Sequence, residues 1–118
     1  MIKVNIIENY RFGRIVVNGI PYTSDLIIFN DYIHTNWRRK KGHSLHIDDL
    51  LILEERKPEI LIIGRGMFGL VEIPEELIQE LMKRNISILA DKTSQAIEKY
   101  NELAKKGVKI AGAFHLNC

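Results

Sequence analysis

From Ile47 to Phe114 the apolar residues switch back and forth between a helical period and a strand period. That alternation narrows the available folds more than any other feature of the chain. Ile47, Leu50 and Leu51 share one helical face, and Glu54-Glu55-Arg56-Lys57 forms a polar end before Pro58. Ile60 to Ile63 is an unbroken apolar run, the pattern of a strand covered on both faces. Pro74-Glu75-Glu76 predicts a helix with proline in its first turn, acids at its positive dipole end, and Leu77, Ile78, Leu81 and Met82 facing inward. Ile86 to Ala90 is the next strand. Thr93 is placed to cap a helix striped by Ala96, Ile97, Tyr100, Leu103 and Ala104 and stopped by Gly107, before a last strand over Val108 to Phe114. Strands separated by helices in this way read as βαβ crossovers, which build a parallel sheet with helices packed on it.

The first thirty residues carry a different signal. Ile2, Val4 and Ile6 alternate with polar residues and predict a strand, with a polar break around Asn9. Ile15-Val16-Val17, Asn18-Gly19 and Ile20-Pro21-Tyr22 predict a hairpin, because Asn-Gly suits a type I′ turn. Pro21 has no N–H for a ladder and so belongs on an edge strand. Leu26-Ile27-Ile28-Phe29 is continuous and predicts a strand buried on both faces. The expectation is a single α/β domain over residues 1–118, an antiparallel N-terminal hairpin region joined to C-terminal βαβ units in a mixed sheet.

Composition excludes several functions. With 17 basic and 15 acidic residues the net charge is +2, no electrostatic reason to expect nucleic acid or an anionic membrane. No apolar run approaches the ~20 residues of a membrane span, and the first residues lack a signal peptide's pattern. A lone Cys118 excludes an internal disulfide framework and fits a reducing compartment, so a cytoplasmic location is expected.

Gly64-Arg65-Gly66-Met67-Phe68-Gly69 follows the Ile60–Ile63 strand and spells G-x-G-x-x-G, with Asp91 about 20 residues on, as in a dinucleotide-binding turn. In such a site the helix begins within the motif and aims its N–H groups at the pyrophosphate. Here the helix signal begins only at Pro74, and too few strands follow for two mononucleotide-binding halves, so no cofactor is expected.

The turn still ends a strand, and ligands of open α/β sheets gather at carboxyl ends of strands. Gly64, Arg65 and Gly66 should therefore lie beside Asp91, Lys92 and Thr93, which end the adjacent strand signal. Two cations and a helix N-terminus on that surface suit a small carboxylate or phosphate.

Other constellations weaken on inspection. His43-x-x-His46 and His115-x-x-Cys118 offer four zinc ligands, but residues three apart on a strand point to opposite faces. Cys118 ends the given sequence, where a flexible position is expected, and a Cys118–His115 nucleophile pair lacks an evident oxyanion hole. Neither a metal site nor a catalytic set is expected. Trp37-Arg38-Arg39-Lys40-Lys41 reads as a solvated loop with Trp37 folded back, rather than a phosphate-binding patch. Asp48-Asp49, Glu54-Glu55 and Glu75-Glu76 fall on polar sides or ends of predicted helices, where dipole complementation explains them.

The chain resembles the Mth-domain family of small α/β proteins. The resemblance runs over Phe12-Gly13, Ile15-Val16-Val17-Asn18-Gly19, Tyr22, Asp25-Leu26-Ile27-Ile28, Trp37, Gly42-His43 and Pro58 through Gly66, then Thr93, Ala96, Tyr100-Asn101-Glu102-Leu103 and His115-Leu116-Asn117-Cys118. That family includes uncharacterised archaeal and bacterial proteins, an adipogenesis-associated Mth-domain protein and a mitochondrial respiratory complex I assembly factor. The resemblance implies a three-layer α/β fold, no established reaction or cofactor, and, through the assembly relatives, protein–protein interaction. The family's usual Gly-Thr-Gly is here Gly64-Arg65-Gly66, and Gly69 completes the dinucleotide lookalike. The expected function is a non-catalytic binding or assembly module with a protein partner or a second copy of itself, the alternative being a small-anion binder or enzyme on the Gly64–Gly66 and Asp91–Thr93 surface.

Overall fold

The fold is taken from a computed structural model that describes residues 4–40 and 42–118. Strands β1 (Ile7–Arg11), β2 (Arg14–Val17) and β3 (Ile20–Tyr22) form one antiparallel sheet. Strands β4 (Leu26–Phe29), β5 (Ile33–His34), β6 (Ile60–Arg65), β7 (Ser87–Asp91) and β8 (Ile110–His115) form a second, in the order β5-β4-β8-β6-β7. β6 runs parallel to both β7 and β8, whereas β4 is antiparallel to β8 and β5. Helices α1 (Ile52–Glu55), α2 (Glu75–Lys83) and α3 (Thr93–Lys105) complete the chain, α1 being preceded by a 3-10 turn at Ile47–Leu50.

Strand alternation divides the apolar residues of the five-stranded sheet between two cores. Ile27, Phe29, Leu61, Ile63, Ala111 and Ala113 meet Leu50 and Leu53 around α1 and Leu77 and Leu81 of α2 on one face. Leu26, Ile28, Ile62, Ile110 and Phe114 meet Ala96, Ile97, Tyr100 and Ala104 of α3 on the other, together with Ile7, Ile15 and Val17 of the small sheet. The result is three layers with the mixed sheet in the middle, as the resemblance implies. The Asn18-Gly19 turn has positive φ at both residues, and Pro21 sits on the edge strand β3.

Some details differ from the sequence reading. Residues 4–6 are not strand, the part of that expectation on Met1–Lys3 lies outside the described residues, and β1 continues across Asn9, with an irregular register between Ile7 and Asn9 where the polar break was expected. Side chains hold the entry segment instead: Asn18 accepts from the Ile6 N–H, and the Asn5 amide donates to Phe29 O at 2.8 Å. The helix expected from Ile47 is broken, because His46 and Asp49 form a capping box that tightens its first turn and leaves Leu51 exposed. Pro74 takes the N-cap position of α2 rather than its first turn, and Met82 points to solvent.

Candidate functional site

Parallel register carries the ends of β6, β7 and β8 to one edge, with Gly64 opposite Asp91 and Arg65 opposite His115. The two turns singled out from the sequence are therefore in contact. The Thr93 N–H donates to Gly66 O at 3.1 Å, and the Gly66 N–H donates to Thr93 Oγ1 at 3.0 Å. Thr93 does not cap α3. Lys92 holds the N-cap position without a side-chain bond, while the fully buried Thr93 hydroxyl donates to His115 O at 2.6 Å. Buried main-chain groups out of reach of water claim this hydroxyl in place of the helix end. Gly66 is required: its φ is +95°, and a Cβ would lie 2.8 Å from the Cys118 carbonyl carbon.

Arg65 is half-buried and braces the following loop, its Nε donating to Val71 O at 2.7 Å. The Asp91 carboxylate accepts from the Lys92 N–H at 2.7 Å, and the Lys92 stem runs along Gly69. Gly64, Arg65, Gly66, Asp91, Lys92 and Thr93 are thus brought together, with the first N–H of α3 already used and Asp91 and Lys92 facing solvent. After Gly69 the chain continues to Glu75 before α2 begins, so no helix starts inside the glycine motif.

Behind this rim lies a polar cluster that sequence reasoning missed. The fully buried His115 stacks on Trp37, with ring centroids 4.6 Å apart. Its Nδ1 lies 3.2 Å from Asp25 Oδ2 and also against Arg39, whose Nη1 is 3.0 Å from the same carboxylate oxygen. Asp25 Oδ1 accepts from the Leu116 N–H at 2.9 Å, and Arg39 Nη2 reaches Cys118 Sγ at 3.7 Å. His115 Nε2 is buried and has no hydrogen-bond partner among the described residues. Burial lowers the imidazole pKa below its ordinary value, and Arg39 acts the same way while Asp25 opposes, so the ring is neutral near pH 7. Burial acts to raise the Asp25 carboxyl, but hydrogen bonds from His115 and Leu116 and the charges beside it outweigh this and hold it below its ordinary value. One signal was available: an acid opening a wholly apolar strand needs a partner, and Arg39 stood in the basic run.

The remaining expectations can be placed. His46 caps the 3-10 turn, His115 faces Asp25 and His43 is exposed, so the four potential zinc ligands do not converge. Among the described residues no hydrogen bond joins the Cys118 thiol to His115. Cys118 is anchored, since its carbonyl accepts from the Phe68 N–H at 3.1 Å, which corrects the expectation of a flexible position. In the basic run Trp37 folds back as expected, buried and donating to Asp49 O, and Arg38 and Lys40 are exposed, Lys40 pairing with Asp48; Arg39 departs from the expected solvated loop by turning inward, and Lys41 lies outside the described residues.

The rim carries one more feature. The segment Leu116–Cys118 is clamped between two turns, by the Gly13 N–H to Leu116 O on one side and the Met67 N–H to Asn117 O on the other. Those turns present Phe12 and Phe68, 54% and 61% exposed, with ring centroids 6.4 Å apart. Arg11 and Arg14 face each other at the foot of the Phe12 turn, and Lys92 lies over Gly69 beside Phe68.

Residues 7–115 match a family described as protein of unknown function (DUF498/DUF598). An outer membrane protein from Bartonella henselae has a similar structure, with a TM-score of 0.83 at 23% identity over 99% of this chain and 98% of that one. MT938 gives 0.78 at 26% identity over 97% and 99%. A Mth938-like domain from Bordetella pertussis gives 0.70 at 16% identity over 96% and 86%. Among the described residues no helix is long and apolar enough to cross a membrane.

Proposed function

We propose that this chain, which belongs to the DUF498/DUF598 (Mth-domain) family, is a non-catalytic protein-binding or assembly module of the cytoplasm that docks its partner on the Phe12–Phe68 rim. The observation that carries this reading is the aromatic pair itself. A single exposed aromatic needs no explanation, but two from separate turns that meet in solvent, on hydrogen-bonded supports, form a ready-made anchor site. Arg11, Arg14 and Lys92 around the pair select a partner segment with an apolar anchor flanked by acids. Two polar side chains behind this edge, His115 and Thr93, are fully buried and occupied with the protein's own main chain and side chains. A photo-crosslinking residue at position 68, used in the native cell, should yield a discrete protein adduct that Phe12→Ser and Arg14→Glu abolish. The same probe at the exposed Met82 serves as control, and equal labelling from both positions would refute the reading.

A second reading, a small-anion or metabolite site on Gly64, Arg65, Gly66, Asp91, Lys92 and Thr93, draws support from the contact between those two turns. Inorganic phosphate and di- and tricarboxylates at about 100 times their dissociation constant would add ~2.7 kcal/mol to stability. Because Arg65 braces Val71, Lys92→Ala is the informative variant: it should remove such a shift without altering the unliganded melt. No shift with any of these anions sinks this alternative.

A further inference from the structure

Sheet edges carry unpaired N–H and C=O groups, and proteins usually cover, shorten or interrupt them. Among the described residues this chain does so at three of its four edges. On β1 the Asn101 amide of α3 accepts from the Ile7 N–H at 2.9 Å and donates to Ile7 O at 2.7 Å, and the register slips between Ile7 and Asn9. β3 has Pro21 at its centre, and β5 is two residues long. β7 has none of these devices. It spans five residues, Ser87-Ile88-Leu89-Ala90-Asp91, without proline, glycine or lysine.

The ladder with β6 fixes which groups are free. The Ser87 N–H donates inward to Glu59 O at 3.0 Å, and Ser87, Leu89 and Asp91 share that inward phase. Ile88 and Ala90 therefore direct both main-chain groups away from the sheet.

We infer that a second copy of this chain pairs antiparallel with β7 about a two-fold axis at Leu89, joining the two central sheets into one. In that register Ile88 and the partner's Ala90 exchange two hydrogen bonds, and symmetry repeats the pair. Leu89 meets the partner's Leu89 in the non-hydrogen-bonded position, where opposed side chains come closest. Ser87 meets the partner's Asp91, so no like charges lie directly opposite. The strand is thus complementary to its own reverse, which favours a second copy over a foreign strand. Leu89 is 41% exposed and lines an open cleft of about 260 Å³ with Ile62, Ala96 and Lys99, which the paired strand would cover. This interface centres on Leu89 and not on Phe12 and Phe68, although its end at Asp91 adjoins Lys92 of the rim.

Sedimentation equilibrium of the full chain, in a thiol reductant that keeps Cys118 from cross-linking, should show a reversible dimer between about 1 μM and 1 mM. Ala90→Pro removes an outward N–H that a lone edge strand does not use, and Leu89→Lys sets like charges face to face. Each should raise the dimer dissociation constant roughly tenfold or more and leave the melt of the dilute protein unchanged. Amide exchange at Ile88 and Ala90 should slow as concentration rises. Phe68→Ser should leave the dimer intact, so failure here and failure of the rim reading are distinguishable. A monomer at every concentration overturns the inference, as does a dimer indifferent to both edge variants. If the chain is monomeric alone and Ala90→Pro abolishes capture of a host protein, the edge takes a foreign strand and the homodimer is wrong.

Discussion

Removing one oxygen atom, in Thr93→Val, tests whether the rim is held together as described. The Thr93 hydroxyl is the shared partner of the Gly66 N–H and of His115 O, in a spot closed to water. Valine has nearly the same shape, so packing is kept while both main-chain groups lose their partner. A buried group left unpaired costs ~1–3 kcal/mol, which puts the loss at ~2–6 kcal/mol for the two. That is a large part of the ~5–15 kcal/mol typical of a folded domain. At ~2.1 cal/mol/K of unfolding entropy per residue, each kcal/mol moves the melting temperature of a chain this size by ~4 °C, so a drop of roughly 8–24 °C is expected. Thr93→Ser keeps the hydroxyl and loses one methyl, for ~1 kcal/mol. Urea titration gives the free energies, and amide exchange at Gly66 should accelerate in the valine variant alone. The reasoning fails if valine matches the parent protein, or if serine is the more damaging of the two.

Three further outcomes follow from buried polar groups. The neutral, buried His115 protonates more easily in the unfolded chain, so stability is full above its ordinary value of ~6.5 and falls as pH drops through it. Asp25, held below its ordinary value, keeps its contribution until pH falls below ~3.9. Melting temperature should therefore decline from about pH 6.5 downward, and His115→Gln should flatten the profile between about pH 6.5 and 5; an unchanged slope in that variant would show that other groups set it. Tyr100 donates to Asn5 O at 3.0 Å from a fully buried ring, so Tyr100→Phe should cost ~1–2 kcal/mol by urea titration, and no loss would mean that water serves the Asn5 carbonyl. Trp37→Phe removes the donor to Asp49 O and shrinks the platform under His115; a loss of ~2–4 kcal/mol is expected, and a loss under ~1 would show that the stack is incidental.

What could be read from the sequence depended on how far apart the cooperating residues lie. Hairpin, buried strands and the α3 stripe are local patterns of two to nine positions, and Asn18-Gly19, Ile60–Ile63 and Ala96–Ala104 appear where the periodicity puts them. Neighbouring strand ends follow from one crossover, which is why Gly66 and Thr93 could be expected to adjoin. The role of Thr93 could not, because it depends on His115 O arriving from β8, on the far side of β6. Asp25 and His115 are 90 positions apart, and Arg39 reaches them from a loop that composition alone describes as solvated. The edge strand is a related case. Ser87 to Asp91 looks like any short strand until the sheet order places it outermost, and only then does its lack of proline, bulge or, among the described residues, a covering side chain become a physical fact. Both readings of how this protein binds rest on such long-range placement: aromatic side chains from two distant turns in one case, main-chain groups without a neighbour in the other.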